Sequence, residues 1–284
     1  MQYQYYFFVR STEKLITFLQ TNDIAYKVRE YSNIQDAFVQ FTLVSNHKRV
    51  NFLLKELANM NCKPTTYIKY SETERKSAQL LWVWPKRQSI EIVNDTEAYD
   101  YHCAGATIFG ETAYKHEVQK GFLSIAREPS PKSPNSFWTE STGFSVLFAS
   151  KKVVDMLRSA NLEGINILPV LKRSGQTCET IYQMRAKNLI TKECIQLGHG
   201  ETRERCPICG KEQFGFNDSY ILHLYLEKVP YQCDFYETER IFGLGIAHPL
   251  FIISQKFYRF LKENKLTGGL EIAPIFPADP DPLL

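Results

Sequence analysis

Long apolar runs are missing from this 284-residue chain, and none approaches the roughly 20 residues that a membrane-spanning helix requires. The sequence therefore offers no helical span. A strong charge bias is missing too: 34 Lys and Arg stand against 31 Asp and Glu, a formal net charge of +3. Domains that track nucleic-acid phosphates are usually strongly basic, so this balance disfavours nucleic acid as a partner. The runs KYSETERK and HGETRER alternate in sign and read as solvated faces. The first residues, MQYQYYFFVRSTEK, lack a basic segment and a small-residue cleavage site, and read as neither signal peptide nor anchor. A disulfide framework is also lacking. The 7 cysteines are odd in number and scattered, which fits a reducing, cytoplasmic home. Dinucleotide-binding and phosphate-loop glycine motifs are absent, as is a serine nucleophile elbow. No catalytic residue is assigned, and the chain reads as a non-enzyme.

What is present begins with aromatic, strand-like sequence. YQYYFFVR precedes Ser11 and Thr12, either of which can cap a helix carrying Leu15, Ile16, Phe18 and Leu19 on its buried side. IAYKVREY and AFVQFTLV read as strands, Asn46 as the opening of a second helix, and TTYIKY as a further strand. The order β-α-β-β-α-β predicts an N-terminal ferredoxin-like sandwich over residues 1–94. Within that span SETERKSAQLLWVWP predicts a short helix leading into a Trp-bearing strand, with Trp82 and Trp84 on one face.

The remainder contains a repeat. VLFASKKVVDMLRSANLEGINILPV, from Val146, matches LFIISQKFYRFLKENKLTGGLEIAPI, from Leu250. Ser150 aligns with Ser254, Val153 with Phe257, Leu157 with Leu261, Leu162 with Leu266 and Gly164 with Gly268, every pair 104 residues apart. One inserted residue then brings Pro169 onto Pro274. Each copy reads as a strand, a Ser N-cap, an amphipathic helix, a Gly turn and a strand closing at Pro. The fold class expected is α+β: the sandwich, then a duplicated β-α-β domain over 95–276 (lobe one 95–172, lobe two 173–276) with a zinc knuckle, and a Pro-rich tail at 277–284.

The knuckle is RCPICGK, where Cys206 and Cys209 flank Pro-Ile and Gly210 follows. Tetrahedral zinc needs two more donors. Cys103, in YDYHCAGATIFG, stands 47 residues before Ser150, much as Cys206 stands 48 before Ser254. One arrangement pairs the lobes through Cys206, Cys209, Cys103 and His102. A second is local and uses Cys194 and His199. In a third, the thiols of a degenerate knuckle hold no metal.

On RCPICGK, on DFYETERIFGLG leading into LFIISQKFYRFLKENKLTGGLEIAPI, and on the matching LFASKKVVDMLRSANLEGINILPV, the chain resembles a bacterial family with two Cys-x-x-Cys-Gly motifs. The resemblance covers about residues 95–276. It implies two related lobes, each led by a knuckle, sharing one structural zinc. Here the second motif is intact at Cys206 and Cys209, while only Cys103 survives of the first, with His102 as substitute. The family pattern has no cysteine at position 194, which favours the inter-lobe site.

Some members of that family are associated with immunity against toxins. The function implied is a non-enzymatic protein-binding factor that neutralises a cognate toxin by steric occlusion. The alternative is a zinc-ribbon-type nucleic-acid-binding protein. Among weaker constellations, Asp234, Glu237 and Glu239 in DFYETE read as a solvated acidic loop or cap, and His223 and His248 as packing or capping residues.

Overall fold

The structure, a computed structural model, describes residues 2–30, 36–86, 89–108, 111–130, 136–141, 146–196, 202–205, 212–215, 222–230, 233–239, 242 and 248–278. It is mixed α+β and rich in sheet. None of its described helices is long and apolar enough to cross a membrane. The chain divides into two compact units, the first ending at Glu74 and the second starting at Arg75.

The first unit runs β1 (Gln2–Arg10), α1 (Glu13–Thr21), β2 (Tyr26–Arg29), β3 (Phe38–Val44), α2 (Val50–Asn59) and β4 (Thr65–Lys69). Its sheet has the order β2-β3-β1-β4, antiparallel at every step. Each helix thus joins two parallel strands that have a third, antiparallel strand between them. Thr12 is the cap of α1, its hydroxyl accepting from the Leu15 N–H. Asn46 does not cap α2. A turn intervenes, and the helix starts after Arg49 with no side-chain cap. Phe7, Val39, Phe41 and Leu43 on the sheet pack with Leu15, Leu19, Leu53 and Leu57 on the helices. Burying each such side chain contributes about 1.5–3 kcal/mol.

The second unit follows α3 (Glu72–Ser77), which straddles the boundary. It opens with β5 (Leu80–Pro85), β6 (Ser89–Ile90), the single turn α4 (Asp95–Ala98) and the hairpin β7 (Tyr99–Ile108) and β8 (Glu111–Gln119). Then come β9 (Ser124–Ile125), β10 (Phe137–Glu140), β11 (Leu147–Ser150), α5 (Lys151–Ser159), β12 (Ile165–Lys172) and β13 (Thr177–Ala186). After β14 (Leu189–Ile190) and β15 (Ile195–Gln196), β16 (Thr202–Arg205) and β17 (Glu212–Gly215) form a second hairpin. Last are β18 (His223–Leu224), β19 (Phe235–Thr238), β20 (Phe251–Ser254), α6 (Gln255–Glu263), β21 (Leu270–Pro274) and β22 (Phe276–Pro277). Of the Pro-rich tail, Pro277 pairs with Leu224, and residues 279–284 lie outside the described set.

Two sheets carry the repeat: β6-β10-β11-β13-β12-β9 and β14-β19-β20-β5-β21. Their first five strands correspond one to one. The row Leu147, Met184, Ile167 in one sheet has the pairing of Phe251, Val83, Ile272 in the other. Ser150 and Ser254 cap their helices identically, accepting from the N–H groups of Val153 and Phe257. In the second sheet the strand lying between β20 and β21 is β5, from before the repeat. That is why the division falls at Glu74 rather than 94: LLWVWP completes a sheet of the second unit. Likewise β13, placed by sequence in lobe two, lies between β11 and β12 in the first sheet. Trp82 and Trp84 do share a face of β5, their ring centroids 3.8 Å apart. One core joins both sheets, with Leu81, Phe235, Phe251 and Phe257 meeting Leu147, Val153, Leu157 and Met184.

The helix ends differ from the expected Gly turns. Asp23, Asn61, Asn161 and Lys265 adopt positive φ two residues after α1, α2, α5 and α6. In three of the four turns the next N–H, of Ile24, Cys62 or Leu266, returns to the carbonyl of Leu19, Leu57 or Leu261. The aligned glycines are therefore not equivalent. Gly164 has φ +82, and a Cβ there would lie 2.7 Å from Cys233 Cβ and 2.8 Å from the Phe235 carbonyl oxygen. Gly268 has open space around it. Gly164→Ala should destabilise the protein by about 2 kcal/mol or more, and Gly268→Ala by less than about 0.5 kcal/mol, as read by urea unfolding.

Candidate functional site

Cys206 and Cys209 fall in the segment 206–211 between β16 and β17, outside the described residues. The flanking strands are described, and Arg205 pairs with Glu212 at their ends. Cys103 and His102 are on β7, where the pairing with β8 shifts between Tyr101 and Cys103 and again between Cys103 and Ala104. His199, the second donor of the local arrangement, also lies outside the described residues. Its partner Cys194 is buried, and its thiol donates to the Lys228 carbonyl at 3.3 Å. Three thiolates and an imidazole suit zinc by donor chemistry. The described residues contain no group of three metal-ligating side chains. Burial pushes the Cys178 thiol up to about 11, so it stays protonated at neutral pH.

Two of the three DFYETE carboxylates, those of Asp234 and Glu237, are buried, while Glu239 is half-buried and accepts from the Lys192 N–H. β19 is buried along its length, and Glu237 is 1 % exposed. Arg185 on β13 donates through Nε to both Glu237 oxygens, at 2.9 and 3.1 Å, and through a terminal nitrogen to Gln119. The Ala186 N–H also donates to Glu237, and Gln119 exchanges amide hydrogen bonds with Gln183, itself fully buried. Gln119 and Arg185 line a cleft of about 390 Å³ with Lys120, Phe122, Asn166 and Leu168. Asp234 accepts from the Glu163 N–H and the Ser254 hydroxyl, and pairs with Lys256. These carboxylates are committed to hydrogen bonds that join the two sheets of the second unit. Sequence reading missed Arg185 because its partner lies 52 residues further on.

The first unit presents a different kind of surface. One face of its sheet carries the helices. The other carries Tyr6, Phe8 and Arg10 from β1, Phe38, Gln40 and Thr42 from β3, Lys27 and Arg29 from β2, and Tyr67 and Lys69 from β4, as their register requires. Tyr67 is 54 % exposed and Phe8 42 %. Phe8 stacks on Phe38 with ring centroids 5.0 Å apart, and Tyr6 meets Tyr67 edge-on at 6.2 Å. Arg10 pairs with Asp36. Lys27, Arg29 and Lys69 are exposed and form no ion pair among the described residues. None of the strand positions on this face holds a carboxylate. The signal was readable: aromatics occupy both alternating sets of YQYYFFVR, so one set must face away from the helices.

Comparison with family models returned no match for this chain, and comparison with curated proteins returned none either. Removing one partner of a buried ion pair leaves the other uncompensated. Arg185→Ala should therefore cost about 3 kcal/mol in urea unfolding. Glu237→Gln, which keeps an acceptor for the Ala186 N–H, should cost less.

Proposed function

We propose that the chain is a non-enzymatic binding protein whose working surface is the open sheet face of its first unit. The observation that carries this reading is a cluster of four aromatic rings, Phe8 and Tyr67 exposed and Tyr6 and Phe38 half-buried, among cations, with no carboxylate on the strands of that face. Exposed aromatic clusters rimmed by polar groups mark interaction sites. The strand order and the single helix-bearing face support the ferredoxin-like reading of this unit.

The second unit is the duplicated body of a double Cys-x-x-Cys-Gly-like protein, and the shared register of its two β-α-β segments supports this. Cys206, Cys209, Cys103 and His102 would hold one structural zinc, which would cross-link the two hairpins and add to folding stability. The free thiols of Cys62, Cys178, Cys194 and Cys233 accord with a cytoplasmic home. Resemblance to the toxin-immunity-like family supports a protein partner, such as a cognate toxin bound by steric occlusion. The cations of the open face favour a nucleic acid.

Two measurements test the reading. Protein purified without added zinc should contain about one zinc per chain, and Cys206→Ser should lose it. Well-folded but metal-free protein would remove the zinc assignment. Separately, the chain isolated from its own cells at low salt should carry a bound macromolecule, protein or nucleic acid. A Phe8→Glu, Tyr67→Glu variant should release it without changing the melting temperature of the second unit. A partner retained by that variant would show that the open face is not the binding surface.

A further inference from the structure

We infer that the open face of the first unit binds single-stranded RNA. This rests on the reading of that face as the binding surface, and adds what occupies it. Three features of the face decide the chemistry.

The first is stacking. Tyr6 and Phe8 lie two positions apart on β1, hence roughly 7 Å along the strand. Tyr67, 54 % exposed, lies edge-on to Tyr6 and offers an aromatic platform, and Phe8, 42 % exposed, lies beside Phe38 on the same face. Unpaired bases stack on such rings at about 1–3 kcal/mol per base. A duplex hides its base faces, so stacking selects a single strand.

The second is charge. Lys27 and Arg29 sit on one edge strand, β2, and Lys69 on the opposite edge, β4. Cations therefore flank the rings on both sides, where a backbone crossing the sheet would carry its phosphates. The net charge of +3 for the whole chain conceals this local asymmetry. A protein partner would have to supply carboxylates to both edges and apolar groups to the centre. An RNA strand supplies phosphates and π-faces in one repeating unit.

The third is hydrogen bonding. Gln4, Gln40, Thr42 and Thr65 share the face with the rings. Their amides and hydroxyls can both donate and accept, as reading base edges and the ribose 2′-hydroxyl requires. The 2′-hydroxyl is the group that separates RNA from DNA at such a site.

The test is fluorescence anisotropy of the full chain with a labelled oligouridylate, the matching oligodeoxythymidylate and a duplex RNA. The RNA single strand should bind saturably and several-fold tighter than either competitor. Tyr67→Ala should weaken binding about tenfold, the loss of one stacked base, while Phe52→Ala, an exposed aromatic on α2, should leave it unchanged. Lys69→Ala should lower the slope of log affinity against log salt by about 0.7. Circular dichroism of each variant checks that the fold is retained. No saturable RNA binding, equal binding of DNA or duplex, or equal effects of the two aromatic substitutions would overturn the inference. If RNA fails while a co-isolated protein is still released by Phe8→Glu, Tyr67→Glu, only the RNA assignment falls. If nothing binds the face, the reading beneath it falls as well.

Discussion

An antiparallel strand lodged between two parallel ones governs this molecule. A strand, a crossing helix and a second parallel strand leave a gap in the sheet one strand wide. The backbone groups facing that gap need partners, because an unpaired buried peptide group costs about as much as a lost hydrogen bond. The first unit solves this by interlocking its two strand-helix-strand segments, so that β3 fills the gap left by β1 and β2, and β1 the gap left by β3 and β4. The second unit keeps its two segments in separate sheets and must find a filler for each. It uses β13, which follows the first segment, and β5, which precedes both.

That arrangement explains where the polar clusters sit. With the two sheets sharing one core, the residues joining them cannot be solvated, and the carboxylates there are tied down. Glu237 meets Arg185 and the Ala186 N–H, and Asp234 holds the Ser254 hydroxyl and the Glu163 N–H. The repeat is not symmetric at this point. Ser136 occupies the place of Asp234, its carbonyl accepting from the Ser150 N–H as that of Asp234 accepts from the Ser254 N–H. Only the second copy carries the charge.

Local signals were legible in the sequence and long-range ones were not. The Ser caps, the amphipathic helices, the aligned prolines and the single insertion could all be read, because each is fixed within about a dozen residues. Pro169 and Pro274 indeed face Tyr182 and Leu81, matching positions on the two filler strands. The owner of LLWVWP could not be read, since its partners lie in β20 and β21, far along the chain. The turn at Lys265 was missed because glycine is the usual marker of positive φ, and the glycines nearby suggested a different position. The aromatic face was seen only as a strand, for want of knowing which side the helices cover.

The position of β5 has a bearing on modularity. Arg75 donates to the Ile272 carbonyl, and Gln255 donates to the carbonyls of Arg75 and Ala78, so the chain is already fastened to the second unit before the strand begins. A fragment starting at residue 95 would lose the strand that pairs with both β20 and β21 in a five-stranded sheet, along with its anchor. Any exchange of the front module, in evolution or in the laboratory, has to splice upstream of that fastening and carry the borrowed strand along with the body it completes.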